Sequence, residues 1–334
     1  MNDTIDATIQ STPIVSVVVL NWNGKDDTLE CLGSLSRVDY PALTTVVVDN
    51  GSTDGSVPAI RAAHPQVNLI ENGANLGYAG GNNVGIRWAL EAGAEFVLVL
   101  NNDTVVSSAL IRTLVDAACA APDFGFFSPS IRFYDRPQHV WYAGASWDAQ
   151  RYRTTHHHYG QDIGKCPDGP YETGYASGCA LFMRRQAIEQ TGIFEEALFL
   201  TFEETDLCYR GRRHGWRSMV VPQAHLLHKV SVSFGGAESP TACYYMTRNR
   251  LKWAWRHLPA RQFLGLSRTM ALELMPRLPS LRREGVGLLT SSYWAATEYL
   301  RAWGRQWASP VYRARLCGAR DFVLGRSGAR PGSA

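Results

Sequence analysis

Short apolar runs recur along the first hundred positions, and each stops abruptly on polar residues. Ile14 to Leu20 ends on Asn21-Trp22-Asn23-Gly24, Leu43 to Val48 on Asp49-Asn50-Gly51-Ser52, and Phe96 to Leu100 on Asn101-Asn102-Asp103. Runs of this length without polar alternation predict strands buried on both faces. A shorter strand is predicted over Val67 to Glu71. Between the runs, Asp26 to Leu35, Ser56 to Ala63 and Val84 to Glu91 read as helices, the first with Leu29, Leu32 and Leu35 on one side. This alternation predicts an α/β fold: a single Rossmann-like, mostly parallel sheet flanked by helices. The three polar stops then share one edge, where open α/β sheets bind ligands. Asp103 would serve a hard divalent cation there, although Asn-Asn-Asp is equally a turn that caps the next helix.

The segment NGANLGYAGGNN reads as a loop before the helix at Val84. Gly77, Gly80, Gly81 and Gly85 form neither a dinucleotide GxGxxG fingerprint nor a P-loop. The glycines with Asn82 and Asn83 would let backbone N–H groups approach a phosphate, or would meet a need for positive φ.

Beyond a further strand at Phe124 to Ile131, the pattern dissolves between Trp141 and Tyr175 into a Gly- and aromatic-rich excursion. Its His156-His157-His158 run reads as solvated rather than metal-binding, and Trp147, Tyr152 and Tyr159 would stack on a ligand ring or pack the loop down. Gly174 to Arg185 reads as a turn, a buried strand and a basic end. Its small residues, Gly178 among them, permit close approach of a ligand or tight backbone packing.

Charge divides the chain. Residues 1–240 carry 17 Lys and Arg against 26 Asp and Glu, a net of −9; residues 241–334 carry 16 against 4, a net of +12. The predicted organisation is a disordered tail at 1–12, a catalytic unit at 13–240, a basic Trp-rich helical appendage at 241–324 and a disordered tail at 325–334. In the appendage Phe263, Leu266, Met270 and Leu274 share one helical face, and Leu289, Tyr293, Ala296, Leu300 and Trp303 another, with Pro276 and Pro279 between them. Arg and Trp on amphipathic helices suit an anionic membrane surface; a helical cap or a homodimer face are the alternatives. Nucleic acid is not expected, since no recognised module is present. The first dozen residues lack the basic and apolar regions of a secretory signal, and the seven scattered cysteines have no CxxC. Both features fit a reducing cytoplasm, with peripheral attachment to the inner face of the cell membrane.

The motifs SVVVLNWNG, VVVDNGSTDGS, NLGYAGGNN, FVLVLNNDT, GYASGCALFMRR, FLTFEETDLCYRGRRHGW, VPQAHLLH and YYMTRNRL, in that order, resemble a family 2 glycosyltransferase of the GT-A fold. The resemblance spans roughly residues 13–255 and is similar in flavour to bacterial rhamnosyltransferase-like members. It implies inverting transfer of a sugar, rhamnose first, from a dTDP or UDP donor to a hydroxyl of a glycan or lipid-linked acceptor in cell-envelope polysaccharide synthesis. It implies Glu204 as the base, beside an orienting or acceptor-contacting Glu203. Asp103 and His228 would hold Mn2+ or Mg2+, while Asn21, Asp49, Asn75, Asn82, Asn101 and Gly178 would bind the nucleotide-sugar. An arginine or the metal should keep the base ionised. Asp206 needs no role beyond complementing its helix dipole. Three positions depart from the pattern. Asn101 stands where many members have Asp, Asn82 where many have Arg, and Glu204 where many have Asp. These departures keep open an inactive nucleotide-sugar-binding partner protein. A sugar nucleotidyltransferase would need a basic loop near the first strand, where only Lys25 stands.

Overall fold

The structure is a computed structural model that describes residues 12–230, 239–275 and 288–330. The expected N-terminal tail up to residue 11, the Pro276–Pro279 junction, the Leu289, Tyr293 and Ala296 side chains and residues 331–334 lie outside what is described. The predicted alternation forms β1 (Val15–Asn21), α1 (Lys25–Leu35), β2 (Leu43–Asp49), α2 (Ser56–Ala63), β3 (Asn68–Glu71), α3 (Gly77–Glu91) and β4 (Phe96–Asn101). Next come β5 (Thr104–Val106), α4 (Leu110–Ala120), β6 (Phe124–Phe133), β7 (Val140–Tyr142), β8 (Ala145–Asp148), β9 (Arg153–His156), β10 (Tyr171–Thr173) and β11 (Ala180–Arg184). The chain continues through α5 (Arg185–Thr191), α6 (Glu203–Arg213), β12 (Arg217–His228), α7 (Pro240–His257), α8 (Ala260–Glu273), α9 (Leu288–Ala308) and α10 (Pro310–Val323).

The main sheet runs β10-β12-β6-β11-β4-β1-β2-β3. Strands β3, β2, β1 and β4 are parallel, β11 is antiparallel between β4 and β6, and β12 returns parallel to β6. Asn21 lies opposite Asp49, and Leu20 opposite Asn101, so the polar stops do share one edge. The run Phe96 to Leu100 is buried throughout, as a strand covered on both faces requires.

The glycine segment differs from the expectation. Residues 72–76 do form a loop, but α3 already starts at Gly77, and the later glycines lie inside the helix. The reason is steric. A Cβ on Gly81 would come within 2.4 Å of Leu20, and one on Gly85 within 2.2 Å of Val18, so these glycines let α3 press onto the sheet.

The basic C-terminal helices are packed on the α/β unit rather than hung from it. Leu251, Trp253 and Ala254 of α7 and Leu266 and Met270 of α8 form a second apolar core with Leu198 and Phe202. The predicted face of Phe263, Leu266 and Met270 is the one turned inward. Residues 325–330, expected as part of a disordered tail, are held instead: Gly328 N donates to Ala197 O at 2.9 Å and Arg330 N to Tyr245 Oη at 2.7 Å. Composition could not disclose partners so distant in the chain.

A polar anchor reinforces this packing. Asp206, 1% exposed, receives Arg210 Nε at 2.8 Å and faces His257 Nε2 at 2.7 Å. It is thus a tie between α6 and α7 as well as a first-turn carboxylate. Burial alone would raise its pKa, but hydrogen bonds from His257 and Arg210 outweigh that and hold it below the ordinary range. The stability this contributes is complete above the unfolded carboxylate pKa and disappears as pH falls through the lower folded value. Asp206→Ala should cost about 3–5 kcal/mol at neutral pH, because it strands a buried partner. Urea titration at pH 7 and at pH 3 checks this, with the difference from the parent shrinking at the lower pH.

Candidate active site

The shared strand edge opens into a cleft of about 320 Å³. Asp103 and His228 line it together with Glu203 and Glu204, and so do Asn75, Asn101 and Gly178. Asp103 lies in the turn between β4 and β5, and β5 pairs with β12 so that Thr104 is opposite His228. That short antiparallel pairing brings together two residues far apart in sequence. His228 Nε2 stands 3.2 Å from Asp103 Oδ1, and both side chains are nearly buried. Trp141 abuts the imidazole edge-on at a centroid distance of 4.4 Å, which fixes the ring. His228 Nδ1 has no hydrogen-bond partner among the described residues.

Three of the sequence-predicted residues are not on the cleft wall. Asn21 Nδ2 donates to Asp49 Oδ1 at 2.7 Å, and Asn21 Oδ1 accepts from Thr28 Oγ1 at 2.8 Å. Asp49 Oδ2 accepts from the backbone N–H of Gly51 and Ser52, at 3.1 and 2.9 Å. These two side chains therefore knit the β1 and β2 turns together. Asn82 is fully buried within α3, where its Nδ2 donates to Tyr78 O at 2.9 Å.

Sequence reading passed over several wall residues: Trp22, Asn50, Tyr78, Trp141 and Tyr175. Asn50 follows Asp49 directly and reaches Gly77 O at 3.0 Å, so the signal was one position away. His156, read as solvated, lines the cleft 3.2 Å from Tyr175 Oη, and burial lowers its pKa. By contrast, Trp147 packs on Trp253 at 4.8 Å, pinning the β8–β9 hairpin to the C-terminal helices.

Glu203 and Glu204 open α6. The segment ahead of them is unusual: Phe199, Thr201 and Phe202 have φ of 65°, 68° and 73°. At Phe199 the backbone makes a tight γ-turn, with Leu200 N donating to Leu198 O at 2.8 Å. Each such residue costs on the order of 1–3 kcal/mol, and such conformations cluster where function over-determines the backbone. The result is that both carboxylates face the cleft. A Cβ on Gly178 would sit in ordinary van der Waals contact with the Glu204 side chain, at 3.6 Å, which places the two side by side.

Burial raises the pKa of Glu203 to about 8, helped by the charge of Glu204. Burial also raises Glu204, against the opposing pull of backbone N–H groups and the Thr205 hydroxyl. Among the described residues no arginine acts on Glu204 in this way. Burial and the mutual repulsion of the two carboxylates thus both work against full ionisation of the pair. Between the ordinary value of 4.5 and about 8, folded Glu203 holds a proton that the unfolded chain has released. Stability is therefore lost as pH rises across that window. Glu203→Gln should raise the melting temperature by several degrees at pH 8 and leave it unchanged at pH 4, as calorimetric scans would show.

The mixed sheet, with its strand ends opening into one cleft, has the fold of the GT-A glycosyltransferases. Residues 12–257 match the family described as glycosyltransferase like family 2. One relative is the N-acetylglucosaminyl-diphospho-decaprenol L-rhamnosyltransferase of Mycobacterium tuberculosis. It is 31% identical over 301 residues, with 81% of this chain and 95% of that protein covered. Another is the low-salt glycan biosynthesis hexosyltransferase Agl10 of Haloferax volcanii, 28% identical over 243 residues, covering 71% and 74% of the two chains. Among solved structures, the mannosyltransferase PcManGT of Pyrobaculum calidifontis, in complex with GDP-Man and Mn2+, superposes with a TM-score of 0.57 at 18% identity. That superposition covers 95% of this chain and 89% of the other. The chain belongs to glycosyltransferase like family 2, and within it is rhamnosyltransferase-like.

Proposed function

We propose that this enzyme transfers a hexose, L-rhamnose first among candidates, from a dTDP or UDP donor to a hydroxyl of a lipid-linked or cell-envelope glycan, with inversion. The observation that carries the reading is the meeting of Asp103, His228, Glu203 and Glu204 in one cleft. The rhamnosyltransferase activity of the M. tuberculosis relative supports the choice of sugar.

The donor set fits a divalent metal. Asp103 and His228 present a carboxylate oxygen and an imidazole nitrogen 3.2 Å apart, nearly buried on one cleft wall, and these residues would hold it. Imidazole with one carboxylate favours Mn2+ over Mg2+, and the Mn2+ in the mannosyltransferase structure agrees. A cation held there would supply positive charge against the departing diphosphate. Glu204 accepts the proton of the acceptor hydroxyl as that oxygen bonds to the anomeric carbon and the carbon–phosphate oxygen bond breaks. Glu203, beside it on the cleft wall, contacts the acceptor and orients it. Asn50, Asn75 and Asn101 offer amide groups to base and ribose, while Asn21 and Asp49 hold the turns that present them. A donor screen with dTDP-rhamnose and common UDP-sugars, with and without Mn2+, tests the reading. Turnover with none of these donors, in the presence of a polyprenyl-diphosphate-linked sugar, would reject it.

The acceptor is proposed to be reached at the cytoplasmic face of an anionic membrane. Among the described residues no helix is long and apolar enough to cross one. A second groove, of about 870 Å³, is lined by Trp253, Trp255, Phe263, Phe322 and Val323, with Lys252 and Arg256 among its polar residues. Trp255 and Val323 are 69% and 79% exposed, and although Arg256 is paired to Glu195 on the same rim at 2.9 Å, an exposed apolar face of this kind suits a lipid headgroup boundary. Sedimentation with vesicles containing anionic lipid at low salt should pull the protein down, and Val323→Glu should weaken this. A concentration-dependent dimer without vesicle binding would favour the homodimer alternative.

A further inference from the structure

Arg248 and Asn249 are consecutive on α7, and both side chains are fully buried. Asn249 Nδ2 donates to the carbonyls of Leu198, Leu200 and Thr201, at 2.8, 2.7 and 3.0 Å. Arg248 Nε donates to Asn249 Oδ1 at 3.0 Å, which fixes the amide's orientation. The guanidinium also donates to Ala197 O at 3.2 Å, Leu198 O at 2.8 Å and Gly328 O at 2.7 Å. The rings of Tyr244 and Tyr245 lie 5.4 and 5.0 Å from its carbon.

Every carbonyl these two residues engage on the catalytic unit belongs to the segment that carries the positive φ angles. Leu198 O also accepts from Leu200 N within the γ-turn, and Ala197 O from Gly328 N, while Leu200 O and Thr201 O receive the Asn249 amide. Thr and Phe relax to negative φ when nothing opposes it, and such a relaxation would re-aim the first turn of α6. Phe199 is further wedged between two contacts. A Cβ on Gly77 would meet the Phe199 ring at 2.6 Å, and the Tyr245 ring stacks on it at 5.2 Å. Burying a cation and a carboxamide is unfavourable unless their hydrogen bonds are used, and here they are spent on one short stretch.

We propose that Asn249 and Arg248 are positioning residues. They clamp residues 197–202 in a strained backbone and thereby hold Glu203 and Glu204 in the cleft. The basic C-terminal helices would thus complete the active site as well as meet the membrane. The effect on rate rests on Glu204 being the base; the effect on the backbone does not.

The test is Asn249→Ala in the full chain, with Asn249→Ser, which retains one donor, as the milder variant should the first not fold. Turnover should fall about 100-fold, the loss expected when a reacting group is displaced by about 1 Å. KM for the donor, and the affinity for its nucleoside diphosphate with Mn2+, should stay within twofold, because the strand-edge ligands are untouched. Amide hydrogen exchange should accelerate over residues 198–204 and stay unchanged in β1 and β4. A folded variant with turnover within threefold of the parent, or with unaltered exchange over 198–204, overturns the clamp. Glu204→Gln measured alongside separates the two readings. If it stays active, the base assignment fails, and the exchange result still decides the clamp.

Discussion

Asp103→Asn should reduce sugar transfer by about 1000-fold or more, the scale on which removal of charge stabilisation at a leaving group acts. Size and shape are preserved, so the loss isolates charge. Asn101 and Asn102, its neighbours at the same strand end, are neutral, and Asp103 is the carboxylate that this strand end contributes to the cleft. The substitution should leave the fold intact, because the backbone carbonyl of Asp103, not its side chain, accepts from Lys229 N at 3.0 Å. Calorimetry adds a second readout. Mn2+ should strengthen nucleoside diphosphate binding to the parent, and that increment should vanish in Asp103→Asn while metal-free affinity stays. Turnover within tenfold of the parent would remove Asp103 from the metal role.

Glu204→Gln should lower turnover by about 100- to 10,000-fold, the range for loss of a positioned base, with donor affinity unchanged. The pH profile makes the prediction sharper. Burial lifts the Glu204 pKa, so the parent's rate should climb with pH through a value above the ordinary carboxylate range. The glutamine variant has nothing to ionise there and should lose that limb. A residual rate with the same pH dependence as the parent would send the proton to another acceptor.

Much of the scaffold was legible because buried parallel strands announce themselves. Val15 to Asn21, Leu43 to Asp49 and Phe96 to Asn101 are apolar runs closed by polar residues, and their parallel register follows from the intervening helices. The candidate site was legible where motif residues sit at strand or helix ends, as Asp103, His228, Glu203 and Glu204 do. Where a side chain's partners decide its direction, the sequence could not supply its placement. Asn21 and Asp49 turn to each other and to nearby N–H groups, and Asn82 is enclosed because α3 begins two turns earlier than glycine content suggests. Propensity treats Gly77 to Gly85 as a loop, whereas close contact with Leu20 and Val18 makes glycine the residue that fits.

By itself the sequence determined which segments are buried, their alternation and hence the sheet edge at which chemistry would gather, because hydrophobic periodicity is local and survives without a partner. Tertiary structure alone decided which side chains face one another. The meeting of Asp103 with His228 comes from a three-residue strand pairing. Phe199, Thr201 and Phe202 carry no local signal for positive φ, since their conformation is imposed by amide and guanidinium groups about fifty positions further along the chain. Strain of that kind is held by contacts between distant segments, and no window of neighbouring residues contains them.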